Sequence, residues 1–323
     1  MEARTHGIHH VTAIASDPQQ NIDFYAGLLG LRLVKLTVNF DDPGAYHLYY
    51  GDELGHPGTI LTFFAWPGAR RGRIGTGQVG VTSFAVPPAS LSYWRERLTE
   101  HGVRLEGPLQ EPAPHFDRPV LAFADPDGLQ LELVADERAA DVPGWDGGPV
   151  PAEHAIRGLH GVTLLEEGDE LTDRLLRETL GFEQLGQEGQ SQRYATPDAG
   201  PGLRVEVRTA SNLQPGIVAV GTVHHVAFRV PDDRTQLALR ATLAGLRYDV
   251  TPVLDRQYFH SIYFREPGGV LFEIATDPPG FTTDESPQEL GTHLKLPPWL
   301  EPQRREIERA LPPVRLPAGV LGS

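Results

Sequence analysis

Stretches in which apolar and polar residues alternate recur four times along the chain, and each is followed by a segment with helical spacing of its apolar positions. The alternating stretches are rich in β-branched residues, which is typical of half-buried strands. In the first unit, Asp17 and Pro18 form a helix start signal, and Ile22, Tyr25 and Leu28 then recur on one helical face. Each helical segment ends near a glycine that lies 20 to 22 residues beyond a common strand position. The four strands begin at Gly7, Gly77, Gly158 and Gly221, and the glycines after the helices are Gly30, Gly102, Gly181 and Gly245.

Each unit continues with further strand-like stretches, so the chain reads as four β-α-β-β-β modules. The common position of the first strand recurs 151 residues apart between modules one and three, and 145 residues apart between modules two and four. The sequence therefore predicts an α+β fold of four βαβββ modules in two tandem halves. The common position holds His10, Gly80, Gly161 and His225 in the four modules, and a matched position in the last strand holds Thr62, Glu132, Glu206 and Glu273.

Shifts in composition mark the boundaries of the two halves. A Gly- and Pro-rich stretch without periodicity separates them, and a Pro-rich tail with a short predicted helix near 302–311 follows the second half. We predict the following division: an N-terminal two-module domain at 1–140, a linker at 141–156, a C-terminal two-module domain at 157–277 and a tail at 278–323.

Length and composition exclude several classes of protein. The 323 residues, 40% of them hydrophobic, suffice for about two domains with substantial cores. A net charge of −15 argues against nucleic acid or an anionic membrane as the main partner, and no apolar run is long enough to span a bilayer. The absence of Cys excludes disulfides and thiolate-ligated metals. The N-terminal residues lack the apolar core of a signal peptide, so we expect a cytoplasmic protein, either a monomer or a homo-oligomer.

Two histidines and one carboxylate on rigid strands form a ligand set for a divalent metal with open positions. The sequence offers that set if modules one and four pair, because they then bring together His10, His225 and Glu273. Thr62 would occupy the fourth position, because it is the last-strand residue of module one that matches Glu273. Pairing of consecutive modules would instead split the two histidines between incomplete sets. Modules two and three hold glycine at both histidine positions, so we expect their cavity to be empty.

Strand alternation predicts which neighbours share the cavity with the ligands. Thr12 should face inward with His10, whereas His9 should point away or lie at the rim. By the same parity His224 should point outward beside the inward-facing His225.

Further polar candidates lie on the strand-like segment that precedes Glu273. Tyr263 could exchange a proton or bond an oxyanion, and Arg256 could hold an anionic substrate oxygen. Leu271 should face inward with Glu273, and the middle-strand sequence Tyr46-His-Leu-Tyr-Tyr is a further candidate for lining the same cavity.

With these residues in place, the chain resembles the vicinal oxygen chelate superfamily, whose modules pair into cup-shaped half-barrels. Within that superfamily it resembles the ring-cleaving hydroquinone 1,2-dioxygenases, such as 2,6-dichlorohydroquinone 1,2-dioxygenase, over essentially its whole length. The segments that carry the resemblance are Ile8-His-His-Val-Thr, Tyr46-His-Leu-Tyr-Tyr, Asp52-Glu-Leu-Gly-His-Pro-Gly-Thr, Val223-His-His-Val-Ala-Phe and Pro267-Gly-Gly-Val-Leu-Phe-Glu.

The resemblance implies a ring-cleaving dioxygenase that acts on a small hydroquinone or catechol-like aromatic, with O₂ as co-substrate. It implies Fe(II), with Mn(II) as an alternative, bound by His10, His225 and Glu273. Supporting catalytic roles would fall on His9, Thr12, Arg256 and Tyr263.

Two other functions of the same superfamily stay open at this point. A glyoxalase-type lyase or isomerase typically uses four protein ligands, and Thr62 would be a poor fourth ligand. A non-catalytic drug-binding protein would hold its ligand without a metal, which the complete ligand triad argues against.

Overall fold

The computed structural model describes residues 3–106 and 118–316, which form sixteen strands and five α-helices. In the first two modules the strands are β1 (Ile8–Ala15), β2 (Arg32–Asn39), β3 (Asp42–Gly51), β4 (Ile60–Ala65), β5 (Gln78–Val86), β6 (Leu105–Glu106), β7 (Val120–Ala124) and β8 (Gln130–Ala135). In the last two modules they are β9 (Leu159–Glu166), β10 (Glu183–Glu188), β11 (Ser191–Ala195), β12 (Arg204–Thr209), β13 (Val223–Val230), β14 (Leu254–Asp255), β15 (Phe259–Arg265) and β16 (Leu271–Pro279). The helices are α1 (Pro18–Ile22), α2 (Leu91–Glu100), α3 (Glu170–Arg174), α4 (Asp233–Gly245) and α5 (Arg304–Ala310).

The helix of each module follows its first strand, as the sequence predicts. The Asp17 side chain caps α1 by accepting a hydrogen bond from the Gln20 N–H, which confirms the start signal. Helices α1 and α3 wind on as π-helical turns over Asp23–Leu28 and Leu175–Leu180. The prediction that Gly245 follows the last helix is wrong, because it is the final residue of α4.

The strands form two eight-stranded sheets, and each sheet combines one module from each half. The first sheet has the order β14-β15-β16-β13-β1-β4-β3-β2, and the second has the order β10-β11-β12-β9-β5-β8-β7-β6. Modules one and four meet where β1 pairs antiparallel with β13, and modules two and three meet where β5 pairs with β9. This topology confirms the predicted pairing and excludes pairing of consecutive modules. We call the concave face of the first sheet the first cup.

Apolar side chains from all four modules join in one buried cluster behind the sheets. Phe24 and Phe123 are in ring contact between modules one and two, and Phe182 and Phe228 are in ring contact between modules three and four. The core therefore packs neighbouring modules against each other on the side of the sheets that faces away from the first cup.

Segments outside the modules connect and cover the sheets. Residues 142–158 contain no helix or strand. The predicted helix near 302–311 is confirmed as α5, preceded by a 3₁₀ turn at Glu301–Gln303. The tail runs along the outer edge of the first sheet, where Leu294 forms a parallel bridge with Leu36. The final part of the predicted tail, from residue 317, lies outside the described residues.

None of the helices in the described ranges has the length and apolar character needed to cross a lipid bilayer.

Candidate metal centre

His10, His225 and Glu273 converge at the floor of the first cup. His10 stands on β1, His225 on β13 and Glu273 on β16, three adjacent strands of one sheet. The two histidine Nε2 atoms lie 3.3 Å apart, and Glu273 Oε2 lies 3.4 Å from His10 Nε2 and 2.9 Å from His225 Nε2. All three side chains are buried. The pairing of the first and last modules therefore brings together the three residues that the repeat register selects.

The geometry of these three atoms fits a bound cation. An ion held at about 2.1 Å by three neighbouring ligands separates them by about 3 Å, close to the observed spacing. Glu273 Oε2 is fully buried and has no hydrogen-bond partner among the described residues. Such an atom is costly unless something compensates it. Two imidazoles and one carboxylate are the donor set of divalent transition-metal sites with open positions.

Charge within the triad supports the same interpretation. Burial alone would raise the pKa of the Glu273 carboxyl, but the imidazoles of His10 and His225 outweigh it and hold that pKa well below its usual range. Burial lowers the pKa of His225, so its imidazole is neutral near pH 7 and presents a lone pair. Ser261 Oγ donates to Glu273 Oε1, which fixes the carboxylate with its other oxygen toward the histidines.

A β-bulge lies beside each ligand histidine. Between β1 and β13, Ile8 pairs with Phe228 and His10 with Ala227, so His9 is an extra residue on β1. In the same ladder Thr12 pairs with His225 and Ala13 with Val223, so His224 is an extra residue on β13. A bulge interrupts strict alternation and re-aims the side chains next to it. Each ligand histidine is therefore preceded by a bulged histidine.

The bulged histidines hydrogen-bond to the ligands. His9 Nδ1 lies 2.9 Å from His10 Nδ1, and His224 Nδ1 lies 2.7 Å from His225 Nδ1. With a metal ion bound at Nε2, the Nδ1 of each candidate ligand would carry the proton and donate to the preceding histidine. This bond fixes the ring orientation and tautomer of the ligand, as partners of metal-bound histidines generally do. Burial, and next the charge of His225, lowers the pKa of His224 to about 3, which keeps it an acceptor.

A cavity of about 410 Å³ opens above the triad. It is lined mainly by aromatic and polar side chains of modules one and four, and Thr12 and Leu271 face it as predicted from alternation. His224 also lines it, so the prediction that His224 points outward is wrong, because the bulge shifts its side chain. His9 is not among the lining residues and packs behind His10 against Phe259.

Arg256 and Tyr263 stand together on the wall of this cavity. Arg256 Nε donates to Tyr263 Oη at 3.3 Å, and the guanidinium lies 5.4 Å from the centre of the Tyr263 ring. Burial, and next the charge of Glu273, raises the pKa of Tyr263, so its hydroxyl keeps its proton. Arg256 Nη1 also lies 3.1 Å from Asp41 Oδ2, across the mouth of the cup.

Thr62 fills the position that holds glutamate in the other three modules. Its Oγ1 lies 2.9 Å from Thr12 Oγ1 and 2.8 Å from His47 Nε2, so its hydroxyl is engaged by neighbours on two strands. Burial, and next the charge of His10, lowers the pKa of His47 well below its usual range, so this ring is neutral. From the sequence, His47 is a candidate only as part of the Tyr46-to-Tyr50 stretch. The signal that singles it out is the pairing of Tyr49 with Thr62, which places His47 on the cup face.

The second sheet carries a different set of residues at the matching positions. The pairing Ser83–Glu132 corresponds to Thr12–Thr62 in the first sheet, so the structural counterpart of His10 is Val81. The alignment of Gly80 with His10 is therefore wrong by one residue. Gly80 is the bulge residue of β5 and therefore corresponds to His9, the bulge residue of β1.

Comparisons with known proteins agree with this architecture. The profile of the Glyoxalase/Bleomycin resistance protein/Dioxygenase superfamily matches residues 7–133 and 174–274. A Bacillus subtilis protein provisionally named as the ring-cleaving dioxygenase MhqO is 49% identical over 97% of this chain and 98% of its own. The chlorohydroquinone/hydroquinone 1,2-dioxygenase of Sphingobium indicum is 38% identical over 95% of this chain and 96% of its own.

Solved structures show the same fold. A crystal structure of a Bacillus subtilis protein provisionally described as a dioxygenase superposes with a TM-score of 0.91 at 47% identity, covering 97% of this chain and 99% of that chain. Glyoxalase I from Zea mays superposes with a TM-score of 0.61 at 16% identity, covering 84% of this chain and 92% of that chain. The similarity to glyoxalase I, at 16% identity, shows a shared fold and nothing further.

Proposed function

Because the chain belongs to the Glyoxalase/Bleomycin resistance protein/Dioxygenase superfamily and is an enzyme of the ring-cleaving dioxygenase type, we propose that it uses Fe(II) to open the ring of a hydroquinone. Mn(II) accepts similar ligands and is the alternative metal. His10, His225 and Glu273 would hold the ion. The observation that carries the proposal is the convergence of these three ligand atoms, with a buried carboxylate oxygen lacking a hydrogen bond, beneath an aromatic cavity.

The chemistry that Fe(II) supplies when bound is electron transfer between an ionised aromatic oxygen and O₂ held next to each other. The side chains around the triad prepare the substrate for that chemistry. Arg256 keeps N–H groups for an ionised substrate oxygen, since Asp41 and Tyr263 engage only part of its guanidinium. Tyr263 holds a proton at Oη within the cavity, where it can donate to a developing oxyanion.

The cavity walls favour a flat ring. Phe64 and Tyr49 flank the His47 imidazole, with ring centres 4.4 and 4.0 Å from it, and Phe259 packs 5.1 Å from the His10 ring. Stacked and tilted aromatic contacts of this kind orient an aromatic substrate and exclude water. His9 and His224 act as positioning residues, because each fixes the tautomer of a ligand histidine.

The proposal is tested by loading the protein with Fe(II) under anaerobic conditions and measuring O₂ uptake with hydroquinone and catechol. Glu273→Gln keeps an acceptor for Ser261 but removes the ligand charge, so we expect loss of bound iron and of O₂ uptake together. Glu132→Gln is the matched control, because Glu132 accepts from Ser83 Oγ at 2.7 Å at the same register position of the second sheet. It should keep wild-type iron content and activity.

Two results would contradict the proposal. One is full turnover by the iron-free Glu273→Gln variant. The other is a wild-type protein that binds one iron per chain and consumes no O₂ with any compound of the panel.

A further inference from the structure

The cavity above the triad carries one ion pair at its mouth. Among the described residues that line it, the permanently charged side chains are Arg256 and Asp41, and they lie 3.1 Å apart. The other lining residues are aromatic, aliphatic or neutral polar groups, including Asn39, Phe40 and Trp66. The net charge presented at the mouth is therefore zero.

The two members of this pair come from opposite edges of the first sheet. Asp41 lies in the turn between β2 and β3, and Arg256 directly follows β14. Since β2 and β14 are the terminal strands of the curled sheet, the ion pair bridges its two edges. The Asp41 side chain is 74% exposed and that of Arg256 is 19% exposed, so Asp41 is the group that an incoming molecule meets first.

We propose that Asp41 makes the enzyme select substrates by charge, so that it accepts hydroquinones with uncharged ring substituents and rejects those that carry an anionic ring substituent. This inference rests on the proposed function and narrows its substrate class. An anionic substituent near the mouth would face the Asp41 carboxylate, and like charges at such distances repel. Asp41 also pairs with Arg256, the cation among the described lining residues that could otherwise attract the substituent, so both effects act in the same direction.

The test compares hydroquinone with gentisate, which differs from it by one ring carboxylate. We expect Asp41→Asn to raise the ratio of kcat/KM for gentisate to that for hydroquinone by about fivefold, a modest figure because the Asp41 carboxylate is largely exposed to solvent. The gain should appear mainly in KM for gentisate and should shrink at high salt. Asp41→Glu keeps the charge and should restore the wild-type ratio.

Asp42→Asn is the matched control. It removes the same charge from the next residue, and its amide oxygen can still accept the hydrogen bond that Trp66 Nε1 donates to Asp42 at 2.8 Å. Asp42 makes no ion pair with Arg256 among the described contacts, so its variant should keep the wild-type ratio. An equal gain in Asp42→Asn, or an unchanged ratio in Asp41→Asn, would overturn the inference.

A second readout does not depend on turnover. The Kd of gentisate for the metal-free protein, measured by titration calorimetry, should fall about fivefold in Asp41→Asn and stay at the wild-type value in Asp42→Asn. If the wild type oxidises neither compound, the proposed function fails while this comparison still decides the role of Asp41. If the wild type consumes O₂ with hydroquinone and the Kd values do not differ, the inference fails alone.

Discussion

Substitution of Lys35 by methionine should destabilise the protein strongly, because Lys35 is a fully buried cation on the first cup. Its Nζ lies 2.6 Å from Asp284 Oδ1, is ion-paired with Glu285 and lies 4.9 Å from the centre of the Tyr258 ring. Both carboxylates belong to the tail beyond β16. The Lys35 side chain has no exposed surface, and that of Glu285 is 3% exposed. The variant would leave a carboxylate buried without its cation.

The magnitude follows from that burial. Removing one member of a buried ion pair costs about 3–5 kcal/mol, whereas an exposed pair is worth about 0–1 kcal/mol. We expect Lys35→Met to lower the free energy of unfolding by about 3–5 kcal/mol. The measurement is urea denaturation of the metal-free protein followed by circular dichroism and extrapolated linearly to water.

Two further variants make this measurement decisive. Lys295→Met is the control, because Lys295 is a half-buried lysine, and we expect a change within about 0.5 kcal/mol. The double variant Lys35→Met, Glu285→Leu removes both charges and should be more stable than Lys35→Met, since apolar replacement of a whole buried pair is often neutral. If Lys35→Met lowers the free energy of unfolding by less than about 1 kcal/mol, as expected for an exposed pair, the reasoning that burial makes this ion pair costly to break is refuted.

Two other predictions concern the fourth ligand position and a buried acid pair. Thr62→Glu places a carboxylate at the register position that Glu273 occupies in module four. Metal affinity, measured by metal competition, should therefore rise at least about tenfold, and O₂ uptake, measured with an oxygen electrode, should fall by a similar factor. Unchanged O₂ uptake would contradict this prediction. Thr172 Oγ1 lies 2.7 Å from Glu166 Oε2 and 2.6 Å from Glu266 Oε2, and burial, then the charge of Glu266, raises the pKa of Glu166 from 4.5 to about 8. The folded protein therefore keeps a proton that the unfolded chain releases, so the free energy of unfolding should fall as pH rises from about 5 to 8. It should fall less in Glu166→Gln, and urea midpoints measured across that pH range would show the difference. Parallel plots of midpoint against pH for the two proteins would contradict the assignment of the raised pKa to Glu166.

Local periodicity predicts much of this molecule because each module repeats the same strand and helix pattern. The pairing of the first and last modules also followed from the sequence, since only that pairing completes a ligand set from His10, His225 and Glu273. The order of elements in each module and the choice of partner modules are thus properties of short segments and of their repetition. They need no knowledge of how distant parts of the chain pack.

Features that depend on irregular pairing escaped prediction. An extra residue in a ladder changes the direction of its neighbours, so the bulge at His224 invalidates the prediction from strict alternation. The alignment of Gly80 with His10 is off by one residue because the pairing of Ser83 with Glu132, which no local pattern reveals, fixes the register. Helix α4 includes Gly245 because Arg247, with φ of 69°, adopts the left-handed conformation beyond it. The contacts of Lys35 with the tail join residues about 250 positions apart, which no local pattern reveals.

The two sheets show why one cup presents a candidate metal-binding triad although both carry glutamates in register. In the second sheet Glu132 accepts from Ser83, and Glu206 is ion-paired with Arg208 at 3.0 Å, so both carboxylates find protein partners. In the first sheet Glu273 has one oxygen held by Ser261 and the other turned toward the Nε2 atoms of His10 and His225. A divalent cation between these three atoms would neutralise the buried carboxylate. The difference between the cups therefore lies in the partners of the carboxylate, and the bulged histidines at positions 9 and 224 hydrogen-bond to those partners.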